Sequence, residues 1–412
     1  MAASWPQNYQ VRAREGMFLF GSVPSWTTNN CSAVVTTEMS LSGADTLKVT
    51  CTNAGTVQAY KFGISSFTPG RFLTFRFFKA NENVNSNVQL LLSNSGANFT
   101  NCRYYGANDN ACVYGWNYIT VDLDNPSLSL PFGYNYTNQG TGFDRLLGVL
   151  SIQFQVSNAV VGDVYYVDAV AWGRRARPAV VFGFDDFSAT LFANGIPLFD
   201  ARGITGYLAC SPLGNPAQYG TTQRANILSA RANGWDIVNH SYAHVDMRTL
   251  STADIIADAR TNAELLSSFG ALTDPRCFVY PQNAVNETVR AALASIGFIY
   301  GREIKNWRVY PDESGVGTPL RTGSFALASK TLTEAKAALD DAIRMGTMVN
   351  IYSHEIIPGG TGTSPPANPL EWYADDLAAL LDYAIFKQRQ GLIDIMNFSD
   401  WYTGLTHPAL VA

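Results

Sequence analysis

Val181-Phe182-Gly183-Phe184-Asp185-Asp186 ends an apolar run on two adjacent carboxylates, and Asn239-His240-Ser241-Tyr242-Ala243-His244 sets two imidazoles four residues apart. The first stretch reads as a short buried β-strand with its acids at the C-terminal end. The second follows Trp235-Asp236-Ile237-Val238, which reads as another strand. One carboxylate and two imidazoles make a three-ligand set for Zn²⁺ that leaves a position open for water. The second carboxylate is then free to act as a base on that water. The pattern is that of a hydrolytic metal site carried on strand ends.

Around these stretches the chain alternates strand and helix. The spacing predicts strands at 179–184, 204–208 and 276–280, and helices at 222–233, 251–269, 286–296, 333–345 and 369–390. Such alternation predicts an α/β fold, an irregular (β/α) barrel, in which active groups gather at the C-terminal ends of strands. Residues 1–174 differ in texture. Alternating runs at 46–50, 71–77, 87–92, 118–123, 150–156 and 163–168 predict an all-β sandwich with a jelly-roll-like layout. Its many aromatic, Asn, Ser and Thr residues suit a carbohydrate-binding or assembly domain. Gly173-Arg174-Arg175-Ala176-Arg177-Pro178 reads as the linker, leaving 179–412 as the second domain.

Composition sets the outer bounds. At 412 residues the chain exceeds one ordinary core, and 47% hydrophobic with 15% charged residues describes a globular protein. A formal charge of −5 argues against nucleic acid or an anionic membrane surface as partner. No apolar run reaches the ~18 residues that would span a bilayer. Residues 1–10 show no basic region followed by an apolar core, so no signal peptide is visible. Six cysteines allow two readings. Cys31–Cys51 and Cys102–Cys112 form disulfides in an oxidising exterior, or all six are buried thiols. Cys210 and Cys277 lie apart from these.

Taken together, four motifs in order over about residues 179–402 resemble the polysaccharide deacetylases of carbohydrate esterase family 4. They are Phe184-Asp185-Asp186, His240-Ser241-Tyr242-Ala243-His244, Tyr280-Pro281 and Ile351-Tyr352-Ser353-His354. The resemblance implies that Asp186, His240 and His244 hold the metal, zinc or another divalent ion. It implies that Asp185 takes a proton from the bound water and that His354 protonates the departing amine. The backbone N–H of Gln282, just after Pro281, would stabilise the oxyanion, and Tyr280, Pro281, Trp307 and Arg321 would line the substrate pocket. Two adjacent strand residues point to opposite sides, so a strand end or bend is needed to bring Asp185 and Asp186 to one site.

The chain departs from the family pattern in places. Val279 stands where the family often has an arginine that steadies the base, and Arg321 is either its replacement or a plain surface charge. Glu303-Ile304-Lys305-Asn306-Trp307 stands for a motif with two aspartates, and Tyr352 for a leucine. The function so implied is removal of acetyl groups, N-acetyl before O-acetyl, from an extracellular or cell-surface polysaccharide. A phage tail protein at a virion surface fits the absence of a visible leader, as does a trimmed fragment of a secreted enzyme, with homo-oligomer or virion assembly as further partnerships. The alternative is a receptor-binding or structural module that carries an inactive deacetylase fold.

Overall fold

The computed structural model describes residues 16–401, apart from 41–43, 84, 108–111, 113, 126–133, 173–177, 187, 213–220, 305–307, 310–319 and 361. The described residues form two compact units that divide in sequence between 175 and 176. All of the expected linker but Pro178 lies outside the described residues.

The N-terminal unit is built from two antiparallel sheets of six strands. In one, Cys31–Thr36, Thr46–Cys51, Val164–Trp172, Phe72–Lys79 and Gly115–Asp122 lie side by side, with Gly16–Leu19 also against Val164–Trp172. The other runs Tyr134–Gln139, Cys102–Ala107, Asn87–Ser93, Val149–Ala159, Gly55–Phe67, Thr27–Asn29. Alternation sends Leu73, Phe75 and Phe77 of the first sheet, and Leu90, Leu92, Ile152 and Phe154 of the second, into one shared core. Every strand expected here forms. The long Gly55–Phe67 strand was not expected, because Tyr60-Lys61-Phe62-Gly63 interrupts its alternation and most of the strand is half-buried or exposed.

Among the described residues, which include all six cysteines, no disulfide forms. Cys31 and Cys51 stand opposite each other in the antiparallel register yet remain thiols. Burial pushes the Cys51 thiol up to about 12 and that of Cys102 to about 11, so both behave as small apolar groups. The disulfide reading is therefore corrected, and the cysteines give no sign of an oxidising compartment.

In the second unit Ala179–Asp185 is the hub of a mainly parallel sheet. It pairs with Tyr207–Cys210, Met348–Ser353 and Asp394–Met396. From Tyr207–Cys210 the sheet continues through Asp236–Asn239, Cys277–Val279 and Tyr300–Arg302. On the far side Met348–Ser353 takes Phe325–Ala326 in parallel and Arg308–Val309 antiparallel. A single parallel bridge from Arg302 to Thr322, three residues before Phe325, joins the two ends into an irregular barrel. Among the described residues six α-helices accompany it: Ile196–Asp200, Thr221–Ala232, Thr252–Ser268, Glu287–Ser295, Leu332–Met345 and Ala374–Arg389. The last begins later than expected because Glu371–Tyr373 instead pairs with Glu355–Ile357.

Strand phase fixes what faces the barrel interior. Ala179, Val181, Tyr207, Ala209, Val238, Cys277, Val279, Tyr300 and Met348 pack inside, while Val180, Phe182, Phe184 and Ile237 face the helices. Gly183 shares the inward phase, and a Cβ there would come within 2.0 Å of the Tyr207 ring, so its missing side chain lets that tyrosine fill the barrel. Phe398 and Trp401 join the same interior core. Asp236 fastens that segment, accepting from the backbone N–H and the hydroxyl of Ser399 at 2.7 and 2.8 Å.

Burial pushes the Asp236 carboxyl up to about 6, beyond what the Ser399 bonds take back. Its proton is held more tightly folded than unfolded, so its contribution to stability is greatest below the unfolded value near 4. It is lost as pH rises through about 6, a cost on the order of 3 kcal/mol. Asp236→Asn keeps an acceptor for Ser399 without the buried charge. It should raise the melting temperature at pH 7.5, and the gain should shrink to about a third by pH 4.5 and vanish below about pH 3. An equal gain at pH 7.5 and pH 4.5 in thermal melts would show that ionisation is not the source.

Candidate metal centre

Asp185 ends its strand in the inward phase, so its carboxylate enters the barrel mouth. Asp186, one residue on, would face the helices if the strand continued. Instead its backbone takes φ 60°, with its N–H donating to the Ala209 carbonyl at 3.1 Å, and the carboxylate turns back to the mouth. His240 follows Asp236–Asn239, and the loop after it curls through left-handed Ser241 and His244, φ 66° and 53°. Asp186 Oδ1 thus lies 3.4 Å from His244 Nε2 and 3.7 Å from His240 Nε2. The three ligand atoms all fall within 4.8 Å of one another.

This donor set fits a metal ion. Ligand atoms about 2.0–2.2 Å from a tetrahedral zinc stand roughly 3.4 Å apart. His240 Nδ1 lies 2.8 Å from the Val279 carbonyl, which can only accept, so Nδ1 carries the proton and Nε2 presents its lone pair. Burial also pushes the His240 imidazole down, toward the neutral form that a ligand needs. His240 is sealed, whereas the side chains of Asp186 and His244 keep 24% and 21% of their surface, which leaves an open side for substrate.

Asp185 is held by a partner the sequence did not point to. Buried Arg302 donates to both of its oxygens, and the guanidinium lies 4.0 Å over the Tyr352 ring. Burial would raise the Asp185 carboxyl, but Arg302, His240 and His354 outweigh it and hold it below the usual range. His354 Nε2 stands 4.0 Å from Asp185 Oδ2 and meets Tyr352 edge-on. Val279 and Arg302 are register partners on adjacent parallel strands, in the same inward phase. The arginine absent at 279 is thus supplied at the same level from the next strand. A charged residue closing Phe298-Ile299-Tyr300-Gly301 was the available signal.

Other expected residues fall in different places. Arg321 does not steady Asp185; it pairs with buried Glu303 at 3.3 Å. Tyr280 does not line a substrate pocket. Its phase sends the ring outward among Phe278, Val289 and Phe298, 1% exposed, with its hydroxyl donating to the Leu320 carbonyl. Pro281 is buried at the first position of a short helical turn, Pro281–Asn283. Gln282, at φ 54°, leaves its N–H without an acceptor among the described residues, as the first N–H groups of a helical turn do. Its side-chain amide donates to the His244 carbonyl at 3.1 Å. Trp307 lies outside the described residues.

Residues 173–301 match the family model for polysaccharide deacetylase, and the span contains Asp185, Asp186, His240, His244 and Gln282. The resemblance read from the sequence is borne out there, and His354 lies beyond the match. Solved structures similar to the chain include a family 4 carbohydrate esterase from Streptomyces lividans, in complex with acetate. It is 20% identical over 53% of this chain and 92% of its own, with a TM-score of 0.35. A family 4 acetyl xylan esterase from Clostridium thermocellum, with a cobalt ion, is 18% identical over 56% and 93%, TM-score 0.38. The chitin deacetylase of Colletotrichum lindemuthianum is 12% identical over 55% and 88%, TM-score 0.36. No curated protein matches the chain at a significant level.

The Arg302–Asp185 pair is testable without substrate. Removing one member of a buried ion pair strands the other charge and costs about 3–5 kcal/mol. Arg302→Met should destabilise metal-free protein by that amount in denaturant titrations, and adding Asp185→Asn should recover much of the loss. Strictly additive effects of the two changes would show that the pair is not coupled.

Proposed function

We propose that residues 179–412 form a metal-dependent hydrolase that removes acetyl groups from an extracellular or cell-surface polysaccharide, N-acetyl before O-acetyl. The observation that carries the reading is the meeting of Asp186, His240 and His244 as a ligand set beside buried Asp185 and half-exposed His354. A divalent ion held there, zinc by the chemistry of the donors, supplies an activated water and a Lewis acid for an acyl carbonyl.

The chain's own groups divide the remaining work. Asp185, kept ionised and aimed by Arg302, accepts a proton at a carboxylate oxygen; the same pairing lowers its basicity in exchange for fixed geometry. The Gln282 N–H is a donor for the oxygen that gains charge as the carbonyl is attacked. His354, across from Asp185, hands a proton to the leaving atom. A proton donor matters most when the leaving group is an amine, which is why an N-acetyl sugar is favoured. For the N-terminal unit the proposal is glycan binding or assembly into a homo-oligomer or virion, with a phage tail at the virion surface as its setting.

Metal analysis of purified protein should find one divalent ion per chain, lost from Asp186→Ala and retained in Asp185→Asn, with acetate release from N-acetylated glycans abolished in both. His354→Ala should lower amide deacetylation by roughly 10²-fold or more and an activated acetate ester far less. Equal losses on the two substrates would deny His354 its role as proton donor. Metal-loaded protein that releases no acetate from N- or O-acetylated glycans would leave the fold in structural or receptor-binding use.

A further inference from the structure

We propose that Asp258 sets the affinity of this centre for its ion, as a positioning residue that acts through the backbone of the ligand loop. The proposal rests on the metal-binding reading of Asp186, His240 and His244. It concerns a side chain that touches neither ion nor substrate.

The loop from His240 to His244 has an acceptor for each of five consecutive N–H groups. His240 donates to the Cys210 carbonyl, Ser241 to Asn239 Oδ1, and His244 to Ser241 Oγ. The two in the middle, Tyr242 and Ala243, donate at 2.9 and 2.8 Å to the two oxygens of Asp258. Asp258 is the one charged acceptor of the set, and bonds to a carboxylate are roughly twice as strong as neutral ones. It belongs to the Thr252–Ser268 helix, a different element from the loop. One turn further on, Asn262 donates to the Cys210 carbonyl and to Asn239, while Asn239 donates to the Ala259 carbonyl. That face of the helix is the bed on which the loop lies.

The two histidines depend on this bed unequally. His240 is 1% exposed and its ring is fixed by the Val279 carbonyl. His244 is partly exposed, and among the described residues its ring forms its ion-pair and ring contacts with the other proposed ligands, Asp186 and His240, with no hydrogen bond to anchor it as the Val279 carbonyl anchors His240. Its Nε2 is therefore placed by backbone angles, and two residues of the loop, Ser241 and His244, hold left-handed values that side chains disfavour. Without Asp258 nothing charged opposes relaxation of that turn, and His244 leaves the position that completes the ligand set.

Zinc titration against a competing chelator, on the full chain, tests this. Asp258→Ala should raise the zinc Kd about 10–100-fold, the range for partners that orient metal ligands. Asp258→Asn, which keeps one acceptor oxygen, should fall between. Asp254→Ala, on the exposed start of the same helix, should bind as wild type does and so separate loop positioning from helix stability. The visible spectrum of the cobalt-loaded protein should change in both Asp258 variants, since it reports ligand geometry and needs no substrate. Wild-type zinc affinity in folded Asp258→Ala overturns the proposal; if that variant does not fold, wild-type affinity in Asp258→Asn does. Wild-type protein that binds no zinc instead overturns the metal centre itself.

Discussion

A β-strand shows alternate residues to alternate faces, so two successive carboxylates cannot both reach one site from it. The centre depends on how the chain escapes this constraint. Ala179–Asp185 delivers Asp185 into the barrel mouth in phase with Ala179 and Val181. The left-handed turn at Asp186 then ends the alternation and brings the second carboxylate round to the imidazoles. One acid is thereby sealed beside an arginine while the other stands half-open beside two histidines. The division proposed above, one carboxylate to move protons and the other to bind a cation, rests on this difference in surroundings.

The same phase rule explains how the site keeps an arginine on Asp185 with Val279 in the expected position. In a parallel barrel, register partners on neighbouring strands enter the interior at one height. Arg302 therefore reaches Asp185 from Tyr300–Arg302 much as a residue at 279 would from Cys277–Val279. The buried guanidinium needs a face as well as an anion, and Tyr352 gives it one at 4.0 Å, where a leucine could pack but not attract. The arginine that makes up for Val279 thus lies against Tyr352, another departure from the family pattern. The electrostatic demand on Asp185 is met by a different pair of strands.

Much of this was legible in the sequence, and the remainder was hidden for definable reasons. The apolar run before Asp185 and Asp186, the four-residue spacing of His240 and His244, and His354 at the end of Met348–Ser353 announced the barrel and the residues that gather at its mouth. Arg302 stayed hidden because its strand is three residues long, too short to show a period, and its partner is 117 positions away. Tyr280 was misread because an aromatic before proline gives no strand phase; only its neighbours Val279 and Phe278, one inward and one outward, fix its direction. The cysteines misled for a related reason. Cys31 and Cys51 are brought face to face by the register, which makes a crosslink plausible on paper, but burial in an apolar core suits a thiol as well.

The centre also concentrates backbone strain. Of the nine non-glycine residues with positive φ among the described residues, Asp186, Ser241, His244, Gln282 and Asn283 lie in the motifs that form the centre. Each such conformation costs of order 1–3 kcal/mol and persists only where surrounding contacts over-determine it. Glycine would hold these angles without steric cost. It is excluded where the side chain is in use: Asp186 and His244 as the proposed ligands, Ser241 as acceptor for the His244 N–H, Gln282 as donor to the His244 carbonyl. The hydrogen bonds that crowd this loop therefore offset strain that the ligand geometry itself imposes. On the metal-binding reading proposed above, side chains over-determined in this way need little ordering when an ion binds.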